Sequence, residues 1–148
     1  MKKLTNYLKL TFVVFIFLSK SVSADGIIER CSKSEAKEIE LIADSLRSWQ
    51  ELYVAFKKYN SCDDGAIAEG FSESISLLMS EKWESIDQLH VYARKDSKFQ
   101  KFVIKHLDET APMERLKKIK MNAISNCGKN IKGICSDILS TAVIKELK

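Results

Sequence analysis

The sequence lacks the motifs by which nucleotide-binding and hydrolytic enzymes are recognised. It contains no GxGxxG, no P-loop and no HExxH, and none of its serines lies in a nucleophile elbow. Its two histidines, His90 and His106, each fall on or beside an apolar stripe, where a hydrogen-bonded, half-buried imidazole is the ordinary case. We therefore expect no catalytic constellation, no cofactor and no enzymatic activity.

Signals for β-strands and for structural repeats are also missing. No alternating apolar runs are bounded by turn dipeptides, and no similarity recurs at a solenoid period. Apolar residues instead recur at steps of three and four, which is typical of amphipathic helices. The sequence predicts an all-α fold, a compact, disulfide-stapled bundle of six or seven helices.

The first 24 residues have the pattern of an export signal. Lysines precede a nine-residue apolar run at 10–18, and Val22-Ser23-Ala24 matches the small-residue pattern that signal peptidase recognises. Nine helical residues span roughly 14 Å, well short of a bilayer core of about 30 Å. We predict a signal peptide at 1–24, a single helical domain at 25–148, and a periplasmic location without a membrane anchor.

Basic charge is not in excess once that signal is removed. The signal carries four lysines and no acid, so 20 of the 24 basic residues remain against 20 acidic ones. Nucleic-acid binding needs a basic patch, and a formal net charge of zero gives it no general support. We interpret the local cluster of Lys117, Lys118 and Lys120 as a solvated helix face.

The four cysteines all follow the predicted cleavage site, at Cys31, Cys62, Cys127 and Cys135. An even number in an exported chain favours disulfides, and no two lie two to four residues apart, as a zinc site would require. Four cysteines allow three pairings. Closeness in sequence alone favours Cys31–Cys62 and Cys127–Cys135, and no metal site is expected.

Helix starts are marked by two capping boxes, Ser32 with Glu35 and Ser48 with Glu51. The first predicts a helix that continues to Leu46, although Ile39-Glu40-Leu41 also alternates as a short strand would. The second begins the clearest helix of the chain. Six large side chains at helical spacing are predicted to form the core: Trp49, Tyr53, Phe56, Phe71, Trp83 and Phe102.

Gly70 lies inside the next predicted helix, directly before Phe71. A glycine at such a position costs roughly 1 kcal/mol of helix stability relative to alanine. We therefore expect close packing against another helix, or a kink, at this position.

Four acidic residues are concentrated in the same stretch: Asp63, Asp64, Glu69 and Glu73. Glu69 and Glu73 are four apart and share a helix face. The spacing does not match a calcium loop. The alternatives are a helix cap with a solvated face, or a docking surface for a basic protein partner, and we take these four as candidate partner-binding residues.

Two segments resemble small exported bacterial proteins of undefined role: SWQELY at 48–53 and CDDGAIAEGFS at 62–72. The similarity extends through Trp83 and Phe102-Val103 to Cys127 and Cys135. The chain also looks like the type VI secretion amidase immunity proteins in size, export, helicity and cysteine content. Those are helical, disulfide-bearing periplasmic proteins that bind and block a cell-wall-cutting toxin, and no inhibitory residue of theirs is matched to a position here.

Three hypotheses for function follow. The first is a periplasmic binding or inhibitory protein, immunity-like, that blocks a secreted cell-wall-targeting effector such as an amidase. The second is a stand-alone envelope protein with a structural or stress-related role and no toxin partner. The third is a hydrolase or metal-dependent enzyme that uses the acidic residues. The sequence leaves homodimerisation open.

Overall fold

The computed structural model describes residues 30–147, and every regular element in that range is helical. Eight α-helices and four short 3₁₀ turns follow one another along the chain. The helices are α1 (Lys33–Glu40), α2 (Trp49–Tyr59), α3 (Gly65–Glu81), α4 (Ile86–Lys95), α5 (Ser97–Lys105), α6 (Met113–Ser125), α7 (Lys132–Ser140) and α8 (Ala142–Glu146). The all-α prediction is confirmed, with eight helices where six or seven were expected. The predicted signal peptide lies outside the described residues.

Polar side chains at the helix starts follow the sequence signals. Ser32 and Glu35 form a complete capping box at α1, and the Ser48 hydroxyl accepts from the Glu51 N–H at α2, at 3.2 Å. The box at Ser48 is only half formed, because the Glu51 carboxylate accepts from the Arg47 N–H instead, at 2.8 Å. Pro112 lies at the N-cap of α6, directly before the first helical residue, Met113.

The first predicted helix is interrupted, and the C-terminal helical segment is divided in two. The helix expected to reach Leu46 ends at Glu40, and a 3₁₀ turn, Ala43–Ser45, follows. The buried Ser74 hydroxyl donates to the Ala43 carbonyl at 2.6 Å and accepts from the Leu46 N–H at 3.1 Å, so α3 supplies hydrogen-bond partners to the turn. At the C-terminus, Thr141 is extended and separates α7 from α8.

Aromatic rings from α2, α3 and α5 meet in the core. The Phe102 ring lies 5.0 Å, centroid to centroid, from both the Phe56 ring and the Phe71 ring. Four of the six predicted core residues are buried, namely Trp49, Phe56, Phe71 and Phe102. The other two, Tyr53 and Trp83, are partly buried and pack against the same core.

Gly70 is the point at which α3 meets the Ala43–Ser45 turn. A Cβ at position 70 would lie 2.7 Å from the Ala43 Cβ and 3.1 Å from the Asp44 backbone nitrogen. The expected close packing is present, against a turn rather than a helix. It brings the end of α1 alongside α3.

Two disulfides join the pairs expected, Cys31–Cys62 and Cys127–Cys135, with Cα–Cα distances of 4.8 and 6.3 Å. The first ties the start of α1 to the turn that follows α2, and the second closes the connection between α6 and α7. Disulfides form and persist in oxidising compartments, so this pair indicates an oxidising environment of the kind found outside the cytosol. No helix within residues 30–147 combines the length and apolar character of a membrane span.

Candidate functional site

The four acidic residues singled out in the sequence occupy different environments. Asp64 is the N-cap of α3, and its carboxylate accepts from the Gly65 N–H at 2.8 Å. Asp63 turns inward, and its side chain is only 9% exposed. Glu69 and Glu73 lie on the outer face of α3 and line an open depression. Of the four, only Glu69 and Glu73 share a common surface feature.

This acidic depression has a volume of about 330 Å³ and is lined by Glu40, Asp44, Ala66, Glu69, Gly70 and Glu73. Glu73 pairs with Arg115, at 2.7 Å between Oε2 and the guanidinium. The other three carboxylates form no ion pair within the described chain. The depression therefore carries a net negative charge. The sequence did not predict that Glu40 and Asp44 belong to this surface, because only the packing at Gly70 brings them beside Glu69 and Glu73. The one sequence signal for that packing was a glycine inside a predicted helix.

An apolar groove of about 540 Å³ runs between residues 42–46 and α2. Its floor is formed by three buried side chains, Leu46, Ala55 and Tyr59. Its rim exposes Ile42 at 40% and Val54 at 60%. Neighbouring exposed apolar side chains around a concave floor are typical of a surface that binds another molecule.

The depression and the groove share one wall, residues 40–46. Glu40 and Asp44 line the depression, whereas Ile42 and Leu46 line the groove. Leu41 lies in the same wall and is 74% exposed. Because Ser74 and the contact at Gly70 hold this wall against α3, one anchored segment presents carboxylates on one side and apolar groups on the other.

A largely buried polar network begins directly after the half-cystine Cys62 and consists of Asp63, Ser72, His106 and Asp108. His106 is 1% exposed; its Nδ1 lies 3.0 Å from Ser72 Oγ and its Nε2 lies 3.1 Å from Asp63 Oδ1. The Nε2–Oδ1 pair is close but is not aligned as a hydrogen bond, so we treat it as an electrostatic contact.

The network contains the residue types of a Ser-His-Asp triad in Ser72, His106 and Asp63. Because these side chains are buried, we assign them a structural role. Ser72 is 1% exposed, and its hydroxyl lies 3.1 Å from the Ala68 carbonyl of its own helix. At this burial the hydroxyl is not accessible from solvent. The network instead fastens the start of α3 to the end of α5.

Asp63 is charged in this network. Burial raises the pKa of its carboxyl, but the contacts with His106 and with Lys105, whose Nζ lies 2.8 Å from Oδ2, outweigh burial and hold the pKa below its ordinary value of 3.8. A carboxyl whose pKa is lower in the folded state stabilises the protein above its unfolded-state pKa, and this contribution is lost as the pH falls through the folded-state pKa.

We expect Asp63→Asn to lower the free energy of unfolding at pH 7 by about 1–3 kcal/mol, since it removes the charged partner of buried His106. The difference from wild type should shrink as the pH falls from 3.8 toward the lower folded-state pKa of Asp63, because the wild-type carboxyl then also loses its charge. Urea denaturation at pH 7 and at about pH 2.5 measures both effects. Asp64→Asn is the matched control, because asparagine caps a helix as well as aspartate does; an equal loss in both variants, or a pH-independent loss at Asp63, would contradict the assignment.

Within residues 30–147, no three His, Cys, Asp or Glu side chains are arranged to hold a metal ion. Comparison of the chain with protein-family models, with curated proteins and with solved structures finds no match, so the similarity to the amidase immunity proteins remains a hypothesis.

Proposed function

We propose that the protein is an immunity-like binding protein of the bacterial periplasm, which blocks a secreted cell-wall-targeting effector by covering its active site. The observation that carries the proposal is the wall at residues 40–46, which exposes Leu41 and Ile42 on a backbone anchored to α3. Exposed apolar side chains held in place favour binding, because little conformational entropy is lost when a partner docks.

The rest of the scaffold supports an extracytoplasmic binding role. Two disulfides tie the helices together without occupying the wall. Three carboxylates of the acidic depression are left to interact with a partner's basic groups, and complementary charge of this kind speeds association. The combination of apolar and acidic surface favours a protein partner over a nucleic acid, which would require a basic patch.

The experiment begins with the neighbouring genes: we expect one of them to encode a secreted cell-wall hydrolase, which is then purified for the assay. We expect purified protein to inhibit peptidoglycan hydrolysis at a 1:1 ratio. We expect Glu40→Lys/Glu69→Lys, which reverses two of the carboxylates that form no ion pair, to slow association by about tenfold and to weaken its salt dependence. Glu84→Lys/Asp87→Lys is the matched control, since it reverses two exposed charges, one in the Trp83–Ser85 turn and one in the first turn of α4. Stopped-flow association rates at several ionic strengths give the comparison.

Equal association rates for the two double variants would remove the acidic depression from the interface. Absence of inhibition, or absence of any secreted hydrolase beside the gene, would favour the alternative of a stand-alone envelope protein without a toxin partner.

A further inference from the structure

We propose that the apolar groove between residues 42–46 and α2 receives an amphipathic helix of the partner protein, one that carries an apolar stripe flanked by basic residues. The inference rests on the proposed function, because the helix is taken to belong to the protein that is bound. It goes beyond that function by stating which surface receives the apolar part of the partner and what chemistry the partner must have.

The length of the groove fits two turns of helix. Along α2 it extends from Gln50 to Tyr59, which is nine residue steps or about 13.5 Å at about 1.5 Å per residue. Apolar side chains at positions i, i+3, i+4 and i+7 of a bound helix span about 10.5 Å and fit within this length, and this is the usual spacing of anchors in helix-in-groove complexes. A peptide that binds by adding a β-strand would need a sheet edge to pair with, and residues 30–147 contain no strand.

The depth of the groove suits apolar anchors. Ala55 and Tyr59 are each 4% exposed and Leu46 is 7% exposed, so the floor is already packed. Ile42 and Val54 stand at the rim with much of their surface uncovered, and a docked leucine would bury both. The groove therefore gains from apolar contact without rearranging the core beneath it.

The charges around the groove favour basic residues on either side of the partner helix's apolar stripe. Lys58 is already neutralised, because its Nζ lies 2.9 Å from Glu38 Oε1. Glu51 forms no ion pair within residues 30–147, and Glu40 and Asp44 lie across the shared wall. The Arg47 guanidinium donates to the Asp44 and Leu46 carbonyls at 2.8 and 3.1 Å, so it offsets one of these three negative charges. A partner helix whose apolar stripe fills the groove would place its flanking residues beside these carboxylates, where lysine or arginine is favoured and glutamate is repelled.

The test uses three synthetic 16-residue helical peptides that share one leucine stripe and carry lysine, glutamine or glutamate at the remaining positions. Fluorescence anisotropy gives the affinities, and amide chemical shifts locate the site. We expect the lysine peptide to bind 1:1 with shifts at Ile42, Leu46 and Val54, and to bind at least about tenfold more tightly than the glutamate peptide, a difference of about 1.4 kcal/mol.

Two variants, each at an exposed valine, test whether the peptide binds in the groove. Val54→Asp should weaken the lysine peptide at least tenfold, whereas Val91→Asp, at a residue 49% exposed on α4, should leave it unchanged. Because both side chains lie largely in solvent, both variants should fold, and their circular dichroism and melting temperatures check this. Glu40→Lys/Asp44→Lys should reduce binding of the lysine peptide and leave the glutamine peptide unaffected.

The inference is wrong if Val54→Asp and Val91→Asp bind the lysine peptide equally, or if the amide chemical-shift changes map away from the groove. It is also wrong if the lysine and glutamate peptides bind with equal affinity, or if the protein forms a dimer that Val54→Asp dissociates. The proposed function is judged separately. If the Val54→Asp protein still blocks the hydrolase as wild type does, the groove inference is wrong and the proposed function stands. If the lysine peptide binds in the groove but the protein does not inhibit the hydrolase, the groove inference stands and the proposed function is wrong.

Discussion

Trp49→Ala is expected to lower the free energy of unfolding by about 3–5 kcal/mol, the range for truncating a large buried aromatic side chain. The Trp49 side chain is 1% exposed, and its indole N–H donates to Ser85 Oγ at 2.9 Å. The substitution removes both the packing of the ring and the link between the start of α2 and the Trp83–Ser85 turn. Since small domains have about 5–15 kcal/mol of stability in total, this variant should unfold at a much lower urea concentration.

Trp49→Phe separates the two contributions, because it keeps an aromatic ring and loses the N–H donor. We expect it to lower the free energy of unfolding by about 1–2 kcal/mol. Far-ultraviolet circular dichroism is the appropriate probe, since both substitutions alter tryptophan fluorescence. Equal losses in the two variants would mean that the hydrogen bond, rather than the ring, supplies the stability.

Removing the Cys31–Cys62 disulfide is the second substitution with a large expected effect. Its half-cystines are 31 residues apart, and the chain-entropy relation gives about 3.5 kcal/mol for a loop of that size. We expect Cys31→Ser/Cys62→Ser to lose about that amount in urea denaturation. The loss should appear mainly because the unfolded chain gains freedom, so the native helix content should change little.

The second disulfide provides the comparison. Cys127 and Cys135 are 8 residues apart, and the same relation gives about 2.5 kcal/mol for Cys127→Ser/Cys135→Ser. Wild type treated with reductant should fall to the stability of a variant that lacks all four cysteines. A larger loss from the shorter loop than from the longer one would show that local packing, rather than loop entropy, controls the contribution of these bonds.

Much of the fold follows from local sequence signals. The whole of α2 was predictable from Ser48 and the aromatic spacing that follows it, and both disulfide pairings agreed with closeness in sequence. The end of α1 was not predictable, because residues 41–46 continue the helical spacing of apolar groups. What stops the helix is a tertiary contact, the hydroxyl of Ser74 bonded to the backbone of the following turn.

The candidate site was predictable only in part for the same reason. The shared helix face of Glu69 and Glu73 follows from their spacing, but the addition of Glu40 and Asp44 depends on the packing of a distant turn against Gly70. The inward position of Asp63 depends on His106, at the end of α5, and adjacent acids in a sequence give no indication that one of them is buried. The apolar groove likewise arises between two segments, and neither Ile42 nor Val54 is distinctive alone.

The packing of the aromatic core can be followed by proton magnetic resonance. The ring centroids of Tyr53 and Tyr92 lie 4.7 Å apart, and Phe99 meets Tyr53 edge-on at 5.0 Å. Circulating π electrons in such fixed rings shift the magnetic resonance of any methyl group held above them. Upfield methyl signals in a one-dimensional proton spectrum would therefore report the intact interior of each variant in minutes, independently of how much helix it retains.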